Sequence, residues 1–117
     1  MTKKFYLSKE QIQPLATGYG ACIATDMITV EGKAVGYMVR EFPHPEHPKD
    51  SGWFFSCGEE SQDYMDDADH HAIYDVNTIA NYCPEIIPLL DAPPQSAFAR
   101  NPATGKLEQI EYQEPLD

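Results

Sequence analysis

The chain has 117 residues and a mass of 13.2 kDa, with 19 Asp and Glu against 8 Lys and Arg, a formal net charge of −11. That length suits one compact domain, and that charge repels phosphate backbones and anionic lipid, so neither nucleic acid nor a membrane surface is an expected partner. A hydrophobic share of 42% is too high for a disordered acidic chain, which leaves an acidic globular domain.

Residues 1–19 read as a lead-in and residues 20–117 as a single domain. Near the start, Phe5-Tyr6-Leu7 is too short an apolar run for a signal peptide. Cys22, Cys57 and Cys83 are odd in number and widely spaced, as expected of reduced thiols in a cytoplasm. Ser8 is placed to cap a short helix over residues 9–13, stopped by Pro14, and residues 17–20 form a turn. Residues 21–25 are β-prone. Ile28 and Val30, then Val35, Tyr37 and Val39, alternate with polar neighbours around Glu31-Gly32-Lys33, which predicts a β-hairpin.

Residues 42–49 hold three prolines and must be a surface loop that exposes His44 and His47. Trp53-Phe54-Phe55, bounded by Gly52 and Gly58, has the aromatic density of a buried strand. Residues 59–71 are acidic and lack clear periodicity. Asp75 is a good helix N-cap, Tyr74 and Ile79 are spaced for a hydrophobic staple, and Val76, Ile79, Ala80 and Cys83 form one apolar stripe ended by Pro84. Ile86 and Ile87 add at most a turn before Pro88, and Leu89 and Leu90 should be buried. Residues 97–100 and 107–112 read as two strands. The fold class is α+β, a mainly antiparallel sheet packed on one principal helix, with Trp53, Phe55, Ile79 and Leu89 in the core.

Charge distribution is the strongest functional signal. No Lys or Arg lies between Lys49 and Arg100, while that window holds ten acidic residues. Six of them, Glu59, Glu60, Asp63, Asp66, Asp67 and Asp69, crowd around Tyr64 and Met65. One reading is a solvated face that aids solubility. The other is a docking surface for a basic protein, in which the carboxylates steer the encounter and Tyr64 and Met65 supply the desolvated contact. A third reading uses residues 63–71, with His70 and His71, as a metal site or the centre of a small hydrolase. Its spacing matches neither the calcium-loop pattern nor H-E-x-x-H. Nucleophile elbows and phosphate-binding glycine loops are absent, and Glu59 and Glu60 beside Cys57 oppose thiolate formation. No cofactor is implied. Asn77 and Asn81, on one helix face, read as residues exposed to solvent or, less simply, as an interaction edge.

Several segments together resemble a known family. They are residues 36–41 (GYMVRE), 50–55 (DSGWFF), 63–67 (DYMDD), 73–82 (IYDVNTIANY), 86–90 (IIPLL) and 96–98 (SAF). The series closely resembles a bacterial domain-of-unknown-function family grouped with the immunity proteins of polymorphic toxin systems. It covers about residues 20 to 107, most of the chain, and its Y-D-x-N-T-I-A-N-Y run is the most specific part. The resemblance implies a small α+β binding protein that neutralises a cognate toxin, with no catalytic residues. Cys57, Cys83, His70 and His71 fall outside the motif.

Overall fold

The computed structural model describes residues 5–43, 45–47 and 49–112. His44 lies outside them. Six strands form one sheet: β1 (Ala21–Thr25), β2 (Tyr37–Arg40), β3 (Asp50–Ser56), β4 (His71–Asp75), β5 (Ser96–Arg100) and β6 (Leu107–Ile110), in the order β4-β1-β3-β2-β5-β6. β1 and β3 pair in parallel and the other neighbours are antiparallel. The α+β class and the mainly antiparallel sheet hold. No helix among the described residues is long and apolar enough to cross a membrane.

The helices are short. α1 (Asp26–Thr29) follows β1 directly, α2 (Gln62–Asp66) lies in the acidic segment, and α3 (Val76–Tyr82) follows β4. Asp75 caps α3 as its sequence position suggests, accepting from the Asn77 amide at 2.8 Å. Val76, Ile79, Ala80 and Cys83 are all buried. They meet one sheet face, from which Cys22, Ala24, Met38, Trp53, Phe55 and Phe98 project inward. Trp53 stacks on Phe55 with ring centroids 5.9 Å apart and donates its indole N–H to the Leu90 carbonyl at 3.3 Å. The buried ring thus has its one polar atom satisfied.

Three expectations are corrected. Residues 28–39 are not a hairpin. Asp26–Thr29 is a helical turn, with the Val30 amide bonded to the Asp26 carbonyl at 2.8 Å, and Ile28 and Thr29 are buried side by side. Adjacent buried residues suit a helix wedged against α3 and defeat the period of two that a half-buried strand needs. Leu89 is half-buried at the end of a 3-10 helix, Pro84–Leu89, that runs past the single turn expected, and Leu90 takes the core position. β4, His71–Asp75, begins at the last residue of the stretch read as lacking periodicity and pairs antiparallel with β1.

The helix motif also holds the lead-in against the domain. Asn77 Oδ1 accepts from the amides of Leu15 (2.7 Å) and Ala16 (2.8 Å), and its Nδ2 donates to the Gln13 carbonyl at 2.9 Å. Asn81 accepts from the Gln13 amide and donates to the same carbonyl, each at 2.8 Å. The Tyr82 hydroxyl accepts from the Leu7 amide at 3.1 Å and donates to the Thr29 carbonyl at 2.8 Å. These asparagines are neither left to solvent nor an edge for a partner: they clasp the backbone of residues 13–16.

Candidate functional site

β1 and β3 run parallel, so their carboxyl ends lie at one end of the sheet, and the acidic segment starts there. Glu60 folds back onto that end. Its carboxylate accepts from the Thr25 hydroxyl, the Cys57 amide (3.0 Å) and the Gly58 amide (3.0 Å). Partial burial raises the Glu60 pKa, but these donors outweigh it, and the carboxyl sits below its ordinary value. Glu59 pairs with Lys33 at 3.0 Å on an exposed surface. Both glutamates therefore have internal work.

Among the described residues, the aspartates make contacts only within their own segment. Ser61 caps α2 through its hydroxyl, and Asp67 caps the 3-10 turn Ala68–His70 by accepting from the Asp69 amide at 2.9 Å. Asp66 accepts from Gln62 at 2.8 Å. Asp63, Asp66, Asp67 and Asp69 are all exposed, and among the described residues no Lys or Arg pairs with any of them. Tyr64 is half-buried, its ring stacked on His70 at 4.0 Å. Its phenol pKa is pushed up to about 12, first by burial and then by the nearby carboxylates of Asp26, Glu31 and Glu60. Met65 is half-buried and lines a cleft with Tyr37, Phe54 and Ser56.

Of the two histidines only His70 meets an aspartate, with Nε2 3.8 Å from Asp67 Oδ2. His70 is engaged by Tyr64, through both the ring stack and a 3.0 Å contact from Nδ1 to the Tyr64 carbonyl, while His71 enters β4 beside Thr25. Among the described residues, no three His, Cys, Asp or Glu side chains gather closely enough to hold a metal. Burial is the first cause raising the Cys57 thiol pKa, with the Glu60 charge a smaller one. Cys22 is raised further, again by burial.

The cleft beside Met65 opens onto the sheet face opposite α3. In register, Ile73, Ile23, Phe54, Val39, Ala97 and Ile110 form one apolar row across all six strands. At the far side Tyr112 bonds across to Glu41, with its hydroxyl 2.6 Å from Oε1. Ile73 is 74% exposed, Ile23 40%, and Phe42, in the loop beside them, 67%. Sequence reasoning missed this row, although one signal was present. Three consecutive aromatics in a strand cannot share a face, so Phe54 had to point away from the Trp53 and Phe55 core.

The immunity protein Imm33 domain profile matches residues 22–111. The chain belongs to the Imm33 immunity-protein family. No curated protein and no solved structure matches it significantly. Family membership supports an immunity-protein role and, with it, a toxin as partner. In this Imm33 chain the distinctive motif over residues 74–82 has structural work in the cap, the core stripe and the clasp. That leaves the acidic segment and the open sheet face as the parts the fold does not consume.

Proposed function

We propose that this Imm33 protein neutralises a toxin by binding it through the acidic surface of residues 59–69, and that the toxin's contact surface is basic. The observation carrying this reading is the set of four exposed aspartates, Asp63, Asp66, Asp67 and Asp69, on an ordered segment with no Lys or Arg paired to them among the described residues. Glu60 and Glu59 tie that segment to the sheet and to Lys33, so its charges are held in place rather than on a loose loop. A fixed acidic field raises the rate of encounter with a cationic protein by about 10- to 1,000-fold at low salt. Met65 and the edge of Tyr64 are placed to be desolvated as the partner seats.

A nuclease fits this description, because a cleft that attracts phosphate also attracts carboxylates. The test is co-purification of the chain with candidate toxin domains encoded beside its gene. A stoichiometric complex in which the toxin is inactive supports the reading. A toxin that stays fully active at saturating amounts of this chain refutes it.

A further inference from the structure

A sheet in a small domain ordinarily buries both faces or makes one of them polar. Here α3 and the Pro84–Leu89 segment cover one face, and the other carries the apolar row. Its most open part lies over β4, β1 and β3. Two hollows meet at Ile23 there: one of about 670 Å³ reaching Ile73, the other of about 330 Å³ reaching Phe54 and Phe42. Exposed apolar surface of this continuity marks a binding site more often than chance decoration.

The charges around it are ordered. One step along the strands, Ala21 is flanked in register by Asp75 and Asp50. One step the other way, Thr25 bonds Glu60 at the root of the acidic segment. Along β1 and β4, Asp75 and Glu60 thus border Ile23 and Ile73 about two residues, or roughly 7 Å, away. A bulge sets Asp50 farther from Phe54 on β3, and each of the three carboxylates also holds a local hydrogen bond. Lys49 and His47 edge the larger hollow on its loop side. An apolar centre inside a charged rim is the usual anatomy of a protein interface.

We propose that Ile73, Ile23, Phe54 and Phe42 form the desolvated centre of the toxin interface. Its occupant is a protein surface that presents an apolar side chain between basic ones. This rests on the neutralisation reading above and adds where the contact centres. Charge complementarity selects this occupant. A second copy of this chain, net charge −11, would set the same carboxylates against one another across the row.

The test measures dissociation from the toxin domain captured by co-purification for Ile73→Ser and Phe42→Ser. Both positions are exposed enough to keep the fold, and denaturation midpoints verify it. Each variant should raise the dissociation rate about 10-fold or more, with the association rate and its salt dependence unchanged. Leu15→Ser, an exposed apolar residue on the clasped segment, should change neither rate. Unchanged dissociation in Ile73→Ser and Phe42→Ser, with wild-type binding intact, overturns this assignment and leaves the neutralisation reading standing. Absence of any wild-type binding removes that reading, and this one with it. A concentration-dependent dimer that Ile73→Ser abolishes gives the face to a second copy and overturns the proposal.

Discussion

Replacing Asn77 with Ala tests whether the helix motif is a clasp. The change removes three side-chain hydrogen bonds, to the Leu15 and Ala16 amides and the Gln13 carbonyl. Each is worth about 1 kcal/mol net, and these are partly exposed, so their sum falls toward roughly 2 kcal/mol. Alanine returns about 0.5 kcal/mol of helix propensity. The net expected loss is roughly 1–2 kcal/mol, read from urea denaturation. Location matters more than magnitude. Hydrogen exchange at the Leu15 and Ala16 amides should accelerate strongly while Ile79, in the core of α3, keeps its protection at low denaturant. Asn81→Ala should loosen Gln13, and the double variant should lose more than the sum, because each single variant leaves the Gln13 carbonyl one of its two donors. Leu15 and Ala16 amides as protected in Asn77→Ala as in the wild type would refute the clasp.

Trp53→Ala should cost about 3–5 kcal/mol in chemical denaturation, since the ring is buried between Phe55 and Phe98; near-wild-type stability would contradict the core assignment. Gly52→Ala should be strongly destabilising, because Gly52 sits at φ +84° where a Cβ would run into the Glu41 carbonyl. Soluble protein with an unchanged midpoint would show that this irregular stretch of β3 is not constrained as described. The Glu60 carboxyl is held below its ordinary value in the folded state, so its contribution is fully present above about pH 5 and fades as pH falls through the depressed value. Glu60→Gln should therefore be destabilising at neutral pH, with the gap from wild type narrowing in acid. A gap that is constant across that range would argue against the carboxylate anchor.

Local chemistry makes α3 legible in the amino-acid sequence alone. Asp75, the apolar stripe and Pro84 each act within a turn or two of themselves, and all three behave as expected. The same local reasoning misplaces Ile28, because in so short a stretch alternation and one helical turn differ by a single neighbour. It does not find the partners of β1. Ala21–Thr25 pairs with β3 and β4, whose residues lie some 30 to 50 positions later, and long-range register leaves no local trace. The candidate site divides the same way. The acidic segment is visible as a run of charge, but not that Glu60 turns inward while the aspartates stay exposed. The apolar row exists only once Ile73, Ile23 and Phe54 fall into register. Asn77 and Asn81 have a legible spacing, yet their partners are backbone atoms some 60 residues earlier.

The central claim is that fixed carboxylates on residues 63–69 bring a basic toxin to this protein. Its most direct measurement is the association rate with the cognate toxin domain at two or more ionic strengths, for wild type and for the combined Asp63→Asn, Asp66→Asn, Asp67→Asn and Asp69→Asn variant. The account predicts a slower association in the variant and a flatter dependence on salt, with dissociation little changed. An unchanged association rate in a correctly folded variant would contradict it and return the acidic segment to a solvated surface.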